Sequence, residues 1–437
     1  MPKTFKLKSG GLLEVWFHGF PNEPPCRLGR LQSSSDGLIG FEYDADFFAR
    51  GREVSPIKLP LGAGLRTAPR EPLEGLFGLF DDSLPDSWGR LLMDRVFRNA
   101  GINSGAITPL DRLAFLGSRT MGALTYQPAT DLPWTKGSAV DLSKLARAAT
   151  KVIEGDAQEL LPELVRAGGS PGGARPKFLV GYHPKTKAII TEAQDTLPAG
   201  YEPWIVKIPA RSSGLESGPV EAAYAAMAQA AGLDIMPFRL FETKAGAFFG
   251  TKRFDRKGAQ RVHVHTLAGL LGIHPSNFSV GYKDFLGVTQ WLTRDQRAVR
   301  MAFRQKVFNV LAHNRDDHAK NFSFLMNERG EWQLAPAYDL TFAEGPGGQH
   351  SLAFEITGGH PTAETMVAVG TAYELKKTDC LNVLEEVAES IRQWPKISAK
   401  FGVPRTHSAE IGKRMKEAEA VIVMESRSKR ASRKRRE

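Results

Sequence analysis

Cysteine is nearly absent. Only Cys26 and Cys380 occur in 437 residues, far apart and without a CxxC spacing. That excludes a disulfide framework and a cysteine-built zinc site, and it fits a reducing cytosol. The opening stretch MPKTFKLKSGG carries charge but no apolar h-region, so no secretory signal is expected. No apolar run approaches the roughly 18 residues that a membrane-spanning helix needs. The expectation is therefore a cytoplasmic chain with no membrane partner. Hydrophobic residues make up 42% and charged residues 24%, as in a globular protein long enough for two or three domains.

The net charge of +10 is partly local, because residues 425–437 hold seven Lys or Arg against two Glu. Such a run reads first as a solvated tail, and second as a non-specific attractor of nucleic acid or an acidic partner.

Short alternating strands are expected from Phe5 to about Gly40, with Leu13, Val15 and Phe17 on one face and SSSDG as a turn. Leu91, Leu92, Val96 and Phe97 suit the buried side of a helix, as do Leu142, Leu145, Ala149 and Val152 within Asp141–Glu154. A glycine cluster runs from Gly168 through Ser170, Gly172 and Gly173 to Lys177, before an apolar strand at Phe178–Val180. Glycine lets backbone N–H groups turn towards an anion, although a flexible linker has the same composition. The cluster follows neither the G-x-x-x-x-G-K-[ST] nor the G-x-G-x-x-G order.

Trp204–Ile208 reads as a strand interrupted by Lys207, a residue that is costly to bury without a partner. A helix is expected from Val220 to Gly232, with Glu221 in its first turn. Strands are expected over Asp234–Glu242 and Ala247–Thr251, then Lys252-Arg253-Phe254-Asp255-Arg256, and then a mostly helical half from Val264 to Glu425. His263 and His265 alternate on a strand or turn and read as surface residues.

The densest polar cluster follows an apolar helical face of Phe303, Val307, Val310 and Leu311, which should end near His313. Asp316, Asp317, His318, Lys320 and Asn321 come next, then a strand at Phe322–Met326, a turn at Asn327–Gly330, a return strand at Trp332–Ala335, and Tyr338-Asp339. Phosphoryl transfer needs a carboxylate to accept the hydroxyl proton, and a further carboxylate with an amide oxygen to hold magnesium. Asp316 and Asn321 stand five apart, the separation of base and metal-binding Asn in a protein-kinase catalytic loop. On that reading Asp316 is the base, and Asn321 and Asp339 are the metal ligands. The bland alternative is a solvated loop of turn formers.

The order of these pieces resembles the HipA family of serine/threonine kinases, the toxin halves of bacterial toxin–antitoxin pairs. Asp316-Asp317-His318-Ala319-Lys320-Asn321-Phe322 is similar to its catalytic loop, Tyr338-Asp339 to its metal-binding Asp, and Phe80–Asp86 to part of its N-terminal subdomain. The resemblance implies a two-lobed, kinase-like α+β fold: a β-rich subdomain over 1–125, a nucleotide-binding region over 140–255, a helical lobe over 256–425 and a basic tail over 426–437. It implies ATP and Mg2+ as cofactors. The ATP-binding set would comprise Gly172, Gly173, Lys177, Lys207, Glu221, Lys252, Phe254, His318 and Lys320, although Val220 replaces the Asn that precedes the helix acid in the family. It further implies autophosphorylation on Ser170, a HipB-like helix-turn-helix antitoxin that would bring the chain to DNA indirectly, and a protein substrate such as glutamyl-tRNA synthetase. Two alternatives stay open: a metal-dependent phosphohydrolase built on Asp316, Asp317 and His318, and a catalytically silent co-repressor module.

Overall fold

The structure is a computed structural model, and it describes residues 11–85, 87–130, 139–155, 162–167, 176–191, 197–208, 217–275, 277, 279–354 and 361–424. The chain divides into two compact units that each draw on separate stretches. One comprises Met1–Ser212, Phe241–His274 and Ser323–Glu331, and the other Ser213–Leu240, Pro275–Phe322 and Trp332–Glu437.

The first unit holds two five-stranded sheets. Strands β1 (Leu12–Phe17), β2 (Cys26–Ser33), β3 (Ile39–Tyr43), β4 (Arg66–Thr67) and β5 (Leu124–Gln127) lie in the order β4-β3-β2-β1-β5. The alternation in β1 is real: Leu13, Val15 and Phe17 are fully buried, while the residues between them are half-exposed. Strands β6 (Lys177–Tyr182), β7 (Ile189–Thr191), β8 (Glu202–Lys207), β9 (Phe238–Thr243) and β10 (Gly246–Lys252) take the order β7-β6-β8-β10-β9.

The helix Leu142–Ile153 is capped by the Asp141 side chain on Ser143 N and lays Leu142, Leu145, Ala149 and Val152 into the same core as Phe178, Val180, Trp204 and Val206. Each such side chain contributes on the order of 1.5–3 kcal/mol by leaving water. The helix Ser87–Asn99 adds Trp88 and Leu92 to that core, and also buries Val96 and Phe97. Leu91 stays half-exposed.

Three buried polar clusters tie the first sheet to the segment after β10. The Asp82 carboxylate accepts from His265 Nδ1 at 2.6 Å, from Thr266 N at 2.7 Å and from Thr266 Oγ1 at 2.7 Å. The approach is close enough that a Cβ on Gly269 would lie 2.3 Å from an Asp82 oxygen. Asp255 accepts from Arg253, Arg256 and Gly122 N, and both guanidinium groups also reach the Thr120 carbonyl. The third cluster is the pair His263 and His265, which are 1% and 0% exposed. This corrects the surface reading. Their strand, His263–Thr266, pairs with Ser323–Met326 in an antiparallel sheet, and His263 Nε2 donates to Val54 O at 2.8 Å. The expected helical half from Val264 therefore begins with a strand.

The second unit is mostly helical. Its main helices are Ser217–Ala230, Tyr282–Thr293, Gln296–Leu311, Ala363–Ala372, Lys377–Arg392 and Arg405–Glu419. The helix expected from Val220 begins three residues earlier, at Ser217, because Pro219 is tolerated in a first turn where its missing N–H is not needed. Glu221 therefore lies in the second turn. Similarly, the strand expected from Asp234 begins at Phe238, since Pro237 has no N–H to give a ladder. Tyr224 is fully buried, with its ring edge-on to Trp394 and its hydroxyl donating to Ala312 O at 2.6 Å, where the helix Gln296–Leu311 ends. Phe303, Val307, Val310 and Leu311 are buried, as the spacing predicts, and Val299 extends that face.

Burial and the neighbouring His265 hold the His263 imidazole down to about 3, against its ordinary value near 6.5. Between those values the unfolded chain takes up a proton that the folded chain refuses. Stability is therefore complete above pH 6.5 and falls as pH drops towards 3, by about 1.4 kcal/mol per pH unit for one proton. His263→Asn should remove one proton's worth of that slope in urea unfolding measured at several pH values. An unchanged slope would contradict the neutral buried imidazole.

Candidate active site

The polar stretch after the helix Gln296–Leu311 is a backbone-braced loop. His313 takes a left-handed conformation, with φ of 54°, which turns the chain out of the helix. Asn314 N donates back to Asn309 O at 2.8 Å, Arg315 N to Ala343 O at 3.2 Å, and Ala343 N to His313 O at 3.2 Å. Ser351 closes the far side, with its hydroxyl 3.0 Å from Arg315 O. Gly345, with φ of 74°, allows the bracing segment to fold this tightly, since a Cβ there would sit 2.7 Å from the Arg315 Cβ and closer still to Gln349 O. Burial pushes the His313 imidazole below its ordinary value, against the opposing pull of Glu344, which it meets at 3.1 Å.

Two adjacent carboxylates are treated oppositely. Asp316 is exposed, whereas Asp317 is 1% exposed. Asp317 accepts from the Tyr282 hydroxyl at 2.5 Å, His350 Nδ1 at 2.8 Å and Ser351 N at 2.8 Å. The network continues inward: Asn309 Nδ2 donates to the Tyr282 oxygen at 3.0 Å, and Asn314 Nδ2 donates to Asn309 Oδ1 at 3.0 Å. Burial and the Asp317 carboxylate push the Tyr282 phenol well above its ordinary value, so it stays neutral and donates.

Asn321 ends a short 3-10 turn, Ala319–Asn321, and its Nδ2 donates to the Asp316 carbonyl at 2.7 Å. With the amide nitrogen so fixed, the carboxamide oxygen is the end left to accept a partner. That donor set, one amide oxygen with carboxylates nearby in the chain, fits a magnesium ion that completes its shell with waters and phosphate oxygens. Tyr338 donates to Lys320 O at 2.5 Å, and the next residue, Asp339, is half-buried with φ of 56°. A non-glycine residue in that conformation carries strain of about 1–3 kcal/mol, which clusters at functional sites. His318 and Lys320 are half-buried, and Glu221 is 3% exposed in its own helix. All of these belong to the second unit.

In the first unit, Lys207 stands opposite Lys177 in the antiparallel β6–β8 register. Residues so paired share a face of the sheet, and two like charges there are unfavourable without an anion or acid between them. Lys177 is buried, and Lys207 is half-buried with its Nζ 5.9 Å from the Phe249 ring centre. Lys252 is held by Glu202 at 2.9 Å, and Phe254 is half-buried between the buried residues Arg253 and Asp255. Ser170, Gly172 and Gly173 lie outside the described residues.

Sequence reading did not find Tyr282, Asn309, His350 or Ser351 as partners of Asp317. No spacing signal could have found them, since Tyr282 lies 35 residues before Asp317 and His350 lies 33 after it.

A strand-rich unit with opposed lysines, and a helical unit with an exposed Asp and an amide five residues on, define a kinase-like class of fold. The comparisons narrow this to a family. The model of the HipA-like C-terminal domain matches residues 169–395, and that of the HipA N-terminal domain matches residues 13–127. The chain belongs to the HipA family. It is 25% identical to Y4mE of Sinorhizobium fredii over 343 residues, covering 75% of this chain and 76% of that protein. It is 30% identical to Y4dM of the same organism over 151 residues, covering 31% of this chain and 36% of that one. Both relatives carry provisional kinase names. The solved structure of Shewanella oneidensis HipA, in complex with HipB and operator DNA, superposes with a TM-score of 0.67 at 18% identity, over 93% of this chain and 96% of that chain. The fold is therefore HipA-like, and the family and its relatives point to kinase activity. Among the described residues, no helix is long and apolar enough to cross a membrane.

Tyr282→Phe deletes one donor to a buried carboxylate and the acceptor of Asn309. It should cost about 1–3 kcal/mol in urea unfolding. A change below a few tenths would show that the Tyr282–Asp317 bond does not hold the loop.

Proposed function

We propose that this chain is an ATP- and magnesium-dependent serine/threonine protein kinase of the HipA toxin type. The loop Asp316–Asn321 carries the reading: the first residue is exposed, its carbonyl is gripped by the last, and the acid between them is locked inward. In this role Asp316 accepts the proton of the attacking hydroxyl. Asn321 offers its carboxamide oxygen and Asp339 its carboxylate to magnesium, whose part is to neutralise charge on the nucleotide phosphates. Lys177 and Lys207, opposite each other in the β6–β8 register, would meet those phosphates. Glu221 supplies the helix acid. Gly172, Gly173, Lys252, Phe254, His318 and Lys320 complete the nucleotide set, and Ser170 is the autophosphorylation site.

The partners follow from the family. The Shewanella complex supports a HipB-like helix-turn-helix antitoxin that restrains the kinase and carries it to DNA. The substrate is a protein, with glutamyl-tRNA synthetase the first to assay.

The phosphohydrolase reading fares worse. It needs Asp317 as a ligand, but the Asp317 oxygens are occupied by three donors. No group of three His, Cys, Asp or Glu among the described residues could hold a metal.

With γ-labelled ATP, magnesium and a cell lysate, Asp316→Asn should lower transfer by about 10²–10⁴-fold while ATP binding persists, because it removes a proton acceptor and not a ligand. Transfer at the wild-type rate would remove Asp316 from the base role. Asp339→Ala should abolish magnesium-dependent nucleotide affinity, and equal wild-type affinity with and without magnesium would defeat the metal assignment. Ser170→Ala should abolish label in the peptide spanning 168–177, and persistent label there would place the modified residue elsewhere.

A further inference from the structure

The helix Gln296–Leu311 carries arginines at 297, 300 and 304, the i, i+3, i+7 spacing of a single face. They line a concavity of about 530 Å³ together with Ala231, Met301 and Glu386, all within the second unit. Of the three guanidinium groups, Arg297 meets Asp295 and Arg304 meets Glu386, which leaves the set one positive charge in excess. Cations near a helix N-terminus also oppose its dipole.

The three arginines are not equally committed. Arg304 is spent: it donates to Ala231 O at 2.6 Å and to Glu386 at 2.5 Å. Arg297 is an exposed surface residue whose one ion pair among the described residues is with Asp295, two residues away. Such a pair is worth little and is readily exchanged. Arg300 has no hydrogen bond or ion pair among the described residues, and its Nε is buried without a partner. The rest of its guanidinium group lines the concavity and is available to an acceptor bound there.

We propose that this concavity is a binding site for a small phosphate-bearing molecule, held by Arg297 and Arg300 and walled by Arg304 and Met301. A guanidinium fork matches a phosphate with two parallel hydrogen bonds, and the volume lies in the range of small-molecule pockets. The site is separate from the catalytic loop: Arg300 and Leu311 are eleven residues apart on one helix, about 16 Å along its axis. The proposal does not rest on the kinase reading.

The test is site-resolved chemical protection. The full chain is treated with phenylglyoxal, with and without pyrophosphate, and modification is read at each arginine by peptide mass spectrometry. Pyrophosphate at ten times its Kd should slow modification of Arg297 and Arg300 about tenfold and leave exposed Arg329 unchanged. Sodium chloride at equal ionic strength should not reproduce this. Arg300→Gln should remove the protection at Arg297. Arg297→Gln, at a position whose side chain is 92% exposed and where folding is not at risk, should remove it at Arg300. Three results would overturn the site: no protection at either arginine, equal protection by chloride, or protection that survives both substitutions. Because the readout is at named arginines, pyrophosphate binding elsewhere in the chain cannot imitate it.

Discussion

The buried carboxylate of Asp317 is the constraint on which the loop Asp316–Asn321 depends. Taking a carboxylate out of water costs several kcal/mol unless donors replace the lost hydration. Here a phenol, an imidazole N–H and a backbone N–H do so. Those donors come from the start of one helix and from a segment beyond the hairpin, so one anion gathers pieces of chain from both sides of the loop. Because Asp317 is drawn inward, Asp316 is presented outward. Asn321 then grips the Asp316 carbonyl from the other end. In the proposed role of Asp316, a loop fixed this way would not need to reorganise when a hydroxyl proton arrives, and pre-organisation is where much of a phosphoryl-transfer rate comes from.

The first unit uses the same device for a structural end. Burial would raise the Asp255 carboxyl, but the Arg253 and Arg256 guanidinium groups and the Gly122 N–H outweigh it and hold that carboxyl well below the usual carboxylate range. The carboxylate stays charged and joins the stretch around Thr120–Gly122 to the strand end after β10. Asp82 does the parallel job on His265 and Thr266. Within the first unit, Asp82 and Thr120–Gly122 from the range of the N-terminal family model are thus knit to residues 253–266 from the range of the C-terminal one by buried acids. Losing one partner of such a cluster leaves an uncompensated buried charge, which costs about 3–5 kcal/mol.

What could be read from the sequence follows from which signals are local. Periodicity is local, so the faces of Leu13–Phe17, Leu142–Val152 and Phe303–Leu311 were legible, as was the Asp316–Asn321 spacing. Element ends are governed by single residues: Pro219 moved a helix start by three positions and Pro237 a strand start by four. Burial of His263 and His265 was not legible, because their partners, Val54 and Asp82, lie about two hundred residues away. Alternation on a four-residue strand does not say which face is the covered one, and here it is the histidine face. The same limit hid Tyr282 and His350. In a row of three adjacent polar residues, Asp316-Asp317-His318, nothing in composition tells the outward acid from the inward one. Only the distant donors do.

The helix Gln296–Leu311 carries the proposed arginine site near one end and the Asp316–Asn321 loop beyond the other. Its Val299–Leu311 stripe is buried against the unit's core, and its last carbonyls are fixed by the Tyr224 hydroxyl at Ala312 and by Asn314 N at Asn309. Chain direction therefore changes not within the helix but at His313, where a left-handed residue absorbs the turn. The arginine face near the other end projects from the same rigid cylinder. A ligand that drew Arg297 and Arg300 together could shift the loop only by moving the helix as a body, and that movement would have to break the Tyr224 and Asn309 bonds. Since close-packed interiors resist graded deformation, the geometry favours binding at the arginine face that leaves the loop's shape intact, with any coupling arising from the helix's stability and not from its displacement.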